Sequence, residues 1–595
     1  GYVVGKIFAE STISNLVIGD NVEYIDTWTF DGAKFLFNEL TLSVKHIGEH
    51  AFRGVWGESN QATLTLTNKV EQIDLNAFAL NYLSTVNYDC GAKTNAWSSQ
   101  QGIFYHSYIS TLNFLENATH VGAYMFYGAY VSFNELTLSV PSIGEAAFGE
   151  LWPEDKKCTL TLTENVTYME DKAFMQNNFT TVNYNCNATT KEEYGMAGMF
   201  YHSAIDNLAI ASTVTTIPNY TFNECYWNFD AFTIDVEYIG DYAFGHLWAE
   251  QDAGTLTLTE RVNYICPTAF GSGNYAKINY NANADGESGY DMQSIFYKST
   301  IGDLAIGTNV TKLPGWLFYG AYFEFDELLV NVETIGERAF GHAWDGKTAG
   351  KLTIGERVNY IYPAAFSYGN YAVVNYKANA DGESEYNTES IFYVSNIGDL
   401  IIDESVTKLP GWLFYCANFG CDEITVNVET IGEYAFGYLW NKTDAGTLTV
   451  GERVNMIYPS AFCNGNYKKV NYYANADGKA KYSSDAMFGS SKIAELVIGE
   501  NVTKAPVYLF YNAGFTFQEL TVNIADIKAG AFCKAWSSGT PAILTIGSGV
   551  VQMEEQAFGS IVIEELYYNS NLTTNVSSYG PFHLATIRNL NIDED

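Results

Sequence analysis

The chain has 595 residues, 47% apolar and 17% charged, with 44 Tyr, 37 Phe and 11 Trp but only 11 Pro. Low charge with many aromatics excludes a disordered chain and suits short strands. The net charge of −37, from 31 Lys and Arg against 68 Asp and Glu, repels a phosphate backbone or an anionic bilayer, and the apolar runs are too short to insert into a membrane.

In chain order, phenylalanines mark the elements. Phe8, Phe30, Phe52 and Phe78 open a series that returns 96 residues later as Phe104, Phe126, Phe148 and Phe174, and again until Phe558. Within each 96 the steps are 22, 22, 26 and 26, so the unit is one coil of about 24 residues and four kinds of coil alternate. The super-repeats run 8–103, 104–199, 200–295, 296–391, 392–487 and 488–581, with a terminal partial coil at 582–595. They are read as one domain spanning 1–595. The chain opens at Gly1-Tyr2-Val3-Val4 and stops at Asp593-Glu594-Asp595, both inside a repeat, as expected of a fragment of a longer protein.

Each coil reads L-x-I, then V-x-x-I, then A-F, as at Leu352-Thr353-Ile354, Val358, Ile361 and Ala365-Phe366. L-x-I is the period-two pattern of a strand with one buried face. Ile and Phe turn back into the same interior, and only stacking of coils can bury them. The predicted fold is a repeat solenoid of about 24 coils with little regular helix. At ~4.8 Å per strand the sheet would be roughly 115 Å long.

The pattern resembles the BspA-like leucine-rich repeats, a family of bacterial and protozoan surface proteins. Val332-Glu333-Thr334-Ile335-Gly336-Glu337-Arg338-Ala339-Phe340 and Val428 to Phe436 carry the resemblance. It implies a leucine-rich-repeat right-handed superhelix with a parallel sheet on its concave face, extracellular at a cell surface. That family's units usually place Gly-Cys after A-F. Here Gly149, Gly245, Gly341 and Gly437 persist, and Cys does not follow.

The middle residue of L-x-I is expected on the concave face. It is Thr in the third coils (Thr65, Thr161, Thr257, Thr353, Thr449, Thr545) and mostly Thr in the second, where Leu329 is the exception. In the fourth it is Asn87, Asn183, Asn279, Asn375 and Asn471, then Tyr567; the first coils supply an apolar strip that includes Val17, Ile401 and Val497. One reading is strand propensity and a stacked amide ladder. The other is a broad face for a protein or glycan ligand, with Thr257, Asn279, Thr353 and Asn375 as contacts and Trp248 and Trp344 at its margin. The Trp column (Trp56, Trp152, Trp248, Trp344, Trp440, Trp536) reads either as covers of a wide turn or as aromatic platforms; Trp28, Trp316 and Trp412 read as core.

No nucleophile, base and orienting group coincide, so no catalytic residue is assigned and no enzyme is expected. No cofactor or metal is expected either. The segment Asn281 to Gly286 resembles the start of a calcium loop but fails at Met292, and it reads as a polar turn. Nine cysteines, odd in number and without C-x-x-C, read as isolated thiols. Asn-x-Ser/Thr occurs at ten positions from 117 to 575, as chance predicts for so much Asn and Thr. The function expected is a non-catalytic surface module for binding or adhesion. The alternative is a structural spacer or fibre-forming scaffold, capable of end-to-end self-association.

Overall fold

A computed structural model describes residues 6–592 except 99–100, 191–196, 250, 287–292, 347, 383–388, 442–443, 537–538 and 575–577. Gly1 to Val4, Met292, Asn575 and Asp593 to Asp595 therefore lie outside the described residues. Two compact units, Gly1–Ile301 and Gly302–Asp595, each form a parallel β-solenoid. No α-helix occurs among the described residues, and a short 3-10 turn lies at Ser483–Asp485.

In the first unit the L-x-I segments pair as parallel strands. Glu39–Leu42, Ala62–Leu66 and Tyr82–Tyr88 form one run, and Ala231–Ile234, Gly254–Leu258 and Asn274–Tyr280 another. The second unit repeats this with Glu327–Val330, Gly350–Ile354, Asn370–Tyr376 and Asn396–Ile402. Side chains alternate about the sheet: in Gly350–Ile354 the first, third and fifth residues are buried. The V-x-x-I segments form narrower parallel sheets of two-residue strands, such as Tyr24–Ile25, His46–Ile47, Gln72–Ile73 and Lys93–Thr94.

Phenylalanine closes each coil. Within the first unit, rings from Phe30 to Phe296 stack on their neighbours at centroid spacings such as 5.1 Å for Phe30 and Phe52 and 5.0 Å for Phe270 and Phe296. Within the second, Phe340 lies 5.5 Å from both Phe318 and Phe366. All these rings are buried; Phe8, which has a stacked partner only in Phe30, is 46% exposed.

The backbone around each ring alternates in hand. Arg338 and His342, two residues either side of Phe340, have φ of 51° and 65°. This alternation aims every second amide along the stack: Arg338, Phe340 and His342 donate to the carbonyls of Pro363, Ala365 and Ser367 in the next coil. The amides between them close the turn on Gly336 and Arg338. Gly341 is small because the Tyr319 ring packs over it; a Cβ there would lie 2.4 Å from Tyr319 Cδ2.

A buried polar column ties the turns together. Ser107, Ser203, Ser299, Ser395 and Ser491 donate to the carbonyls of Phe78, Phe174, Phe270, Phe366 and Phe462 at 2.6–3.0 Å. Asn81 Nδ2 adds bonds to the Phe52 and Phe78 carbonyls, and Asn177 does the same at Phe148 and Phe174. In later repeats glycine replaces this Asn, and the hydroxyls of Tyr275, Tyr371 and Tyr467 bond the phenylalanine carbonyl instead.

Phe340→Ala should remove about 3–5 kcal/mol, the cost of a cavity in a close-packed core. Hydrogen exchange should then speed up at the amides of 338–342, where Phe8→Ala leaves protection unchanged. Equal protection in both variants would overturn the ring register.

Candidate functional site

The exposed face of the long-strand sheet consists of columns of side chains in register on paired strands. In the first unit Thr233, Thr257 and Asn279 lie side by side on paired strands. In the second, Leu329, Thr353, Asn375 and Ile401 form a continuous row across four hydrogen-bonded strands. Thr257 and Asn279 belong to one unit and Thr353 and Asn375 to the other, so they are two separate pairs.

These polar groups are already joined. Asn279 Nδ2 donates to Thr257 Oγ1 at 3.1 Å, and Asn375 Nδ2 donates to Thr353 Oγ1 at 3.3 Å. The same bond recurs from Asn87, Asn183 and Asn471. Between the first and second super-repeats Asn113 Nδ2 extends the chain to Asn87 Oδ1 at 2.9 Å. At Asn375 the next position is Ile401, which offers no donor, so the row ends on an amide carbonyl beside an apolar side chain.

The apolar positions expected on this face at Leu329 and Ile401 are exposed, and ion pairs not expected from the sequence lie along the same face. Leu329 and Ile401 are 58% and 55% exposed and bracket the Thr353–Asn375 pair. The sequence marks Leu329 as a lone Leu in a Thr column. Charges also line the face two residues earlier on the strands, where Lys351 Nζ meets Glu327 Oε1 at 3.1 Å and Lys469 Nζ meets Glu495 Oε1 at 2.8 Å.

The tryptophans are corrected. Trp248 and Trp344 are 1% and 2% exposed and form no margin of this face. Their indole N–H groups donate to the carbonyls of Phe229 and Phe325 at 2.7 and 2.6 Å. The whole column shares that bond and covers the core under a wide turn. Of the second set, Trp316 is buried as expected, whereas Trp28 and Trp412 are only half-buried. Arg338 lies 4.7 Å over the Trp316 ring, and Trp412 stacks on Tyr434 at 4.2 Å.

Histidines serve local packing. His342 joins Asp345 at 2.9 Å and Tyr319 Oη at 3.2 Å, while His202 reaches Glu224 at 3.3 Å. Burial holds His120 below the ordinary imidazole value. In the polar turns Asp381 pairs with Lys408 at 2.6 Å and Asp477 with Lys504.

A family model described as BspA type leucine rich repeat region matches in overlapping stretches that together run from residue 3 to 594. The chain belongs to the BspA-type leucine-rich repeat family. It is similar to three solved structures. A leucine-rich repeat protein from Bacteroides ovatus is 10% identical over 91% of this chain and 92% of that one, with a TM-score of 0.23. A leucine rich cell surface protein from Faecalibacterium prausnitzii is 12% identical over 82% and 93%, with a TM-score of 0.19. The pneumococcal vaccine antigen PcpA is 11% identical over 98% and 94%, with a TM-score of 0.15. No curated protein matches this BspA-type chain.

All nine cysteines of this repeat protein are free, seven buried and Cys416 and Cys421 half-buried. Burial pushes the Cys158 thiol up to about 12 and those of Cys90 and Cys186 up to about 11. A thiol reagent at neutral pH should therefore label Cys416 and Cys421 first in the folded chain and all nine after unfolding without reductant. Recovering fewer than nine thiols in denaturant would contradict the separate placement of these side chains.

Proposed function

We propose that the chain is a non-catalytic binding or adhesion module at a cell surface, and that the exposed face of its long sheet takes a protein or glycan partner. The row Leu329, Thr353, Asn375 and Ile401 carries this reading. Two aliphatic side chains stand in water on either side of a hydroxyl and an amide, in adjacent register on hydrogen-bonded parallel strands. Covering Leu and Ile contributes up to about 1.5–3 kcal/mol each, while the polar pair between them orients a partner without desolvating a charge. Family membership supports the surface location and the absence of chemistry.

Contacts of about 0.5–1.5 kcal/mol each predict a graded response. On a glycan and matrix-protein array, Thr353→Ala should weaken binding modestly. Leu329→Asp with Ile401→Asp, or Thr353→Arg with Asn375→Arg, should abolish it. If either double variant keeps its circular dichroism and binds the same partner unchanged, this face is not the contact.

A further inference from the structure

A recess lies in the second unit on the side of the V-x-x-I strands. It is a depression of about 460 Å³ lined by Asp381, Lys408, Pro410, Trp412, Glu433 and Tyr458 among others. Its floor has little side chain, because Gly411 and Gly432 sit where neighbouring coils touch: a Cβ on Gly432 would lie 2.4 Å from the Gly411 nitrogen. Close stacking thus leaves little side chain on the floor of a recess that Trp412 and Tyr458 both line.

The rim chemistry narrows the occupant. Lys408 is neutralised by Asp381, whose side chain is 71% exposed and keeps a carboxylate oxygen toward solvent. Glu433 accepts the Trp412 amide on its backbone carbonyl at 2.8 Å, and its carboxylate carries no hydrogen bond or ion pair among the described residues. Burial and then the Asp485 charge raise its carboxyl above the ordinary value. The recess is net negative, which disfavours phosphate or carboxylate ligands. No group of three His, Cys, Asp or Glu able to hold a metal ion occurs among the described residues. Tyr458 is 39% exposed and has no ring partner among them. Free carboxylate oxygens, one ammonium and one open aromatic face suit a ring with an apolar C–H face and a hydroxyl edge.

The geometry points to a binding site for a neutral pyranose unit of a glycan, stacked on Tyr458 with hydroxyls donated to Glu433 and Asp381 and Lys408 donating to a sugar oxygen. One super-repeat earlier the same sequence, Lys312-Leu313-Pro314-Gly315-Trp316, recurs with Gly336, Glu337 and Tyr362. There Tyr360 packs edge-on against Tyr362 at 4.7 Å, and Arg338 covers Trp316. Met456 replaces that tyrosine beside Tyr458, so Tyr458 lacks the edge-on ring that Tyr362 has. This site is independent of the sheet face discussed above.

Saturation-transfer NMR on the full chain with methyl glucoside, galactoside, mannoside and N-acetylglucosaminide at millimolar concentration tests it. At least one pyranoside should receive saturation on the protons of one ring face. Tyr458→Ala and Glu433→Gln should each weaken that binding about tenfold or more, a difference of roughly 1.4 kcal/mol. Tyr362→Ala should leave it unchanged. If Tyr458→Ala fails to fold, Glu433→Gln decides, since it alters charge without altering volume. No transfer to any pyranoside, or transfer unaffected by Glu433→Gln, overturns the site. Array binding that is lost with the Leu329 and Ile401 changes but kept with Glu433→Gln would separate the two surfaces.

Discussion

The turn around each phenylalanine is the constraint on which the rest depends. Non-glycine residues in the left-handed region cost of the order of 1–3 kcal/mol each, and nearly every coil holds one or two, as at Arg338 and His342. A single coil has nothing to offset that cost. Stacking supplies the offset in three parts. The alternating hand sends amides of 338, 340 and 342 to the next coil. The ring lies between two others at about 5.5 Å, a contact worth about 0.5–1.5 kcal/mol beyond burial. The carbonyl of Phe366 is held by Ser395 and Tyr371. Stability in such an array resides between repeats more than within them.

The exchange of Asn for Tyr shows how tightly that carbonyl is specified. Asn81 and Asn177 reach it from one side of the turn with an amide. Where glycine takes their place, the residue two positions on becomes Tyr275, Tyr371 or Tyr467, and its hydroxyl arrives through the space the Asn side chain vacated. A Cβ on Gly369 would lie 2.4 Å from that hydroxyl of Tyr371, so Asn and Tyr exclude each other there. Two substitutions two residues apart are one physical solution: the buried acceptor must be satisfied, and either donor suffices.

Periodicity made the coil legible because the core demands the same residue at the same phase. The Phe column, the L-x-I alternation and the Ile positions all follow from burial, and burial is what hydrophobic spacing reports. The serine column at 107, 203, 299, 395 and 491 was equally regular and went unread, since a small polar residue at constant phase looks like loop filler until its acceptor is known. The Trp column left two readings open, cover of a wide turn or aromatic platform, and burial decides for the first. Spacing alone does not distinguish an indole that faces solvent from one whose N–H reaches a carbonyl 19 residues earlier. Trp28, Trp316 and Trp412 share another left-handed position, two residues before a phenylalanine of the stack, and there only Trp316 is buried.

The same logic separates scaffold from site. Residues that hold the coils together are copied at each repeat, since every interface needs them: Thr257 with Asn279 and Thr353 with Asn375 are one bond made many times. Such copying places these groups under a structural demand before any partner arrives. Departures from the copy have no such explanation. Leu329 in a column of threonines leaves an aliphatic side chain exposed, and Met456 in place of a tyrosine leaves Tyr458 without the edge-on ring that Tyr362 has. Exposing apolar surface costs solvation free energy and adds nothing to a stack already closed behind it. In a uniform array, the irregular positions are where a partner's chemistry can be written, and both surfaces argued above begin at one.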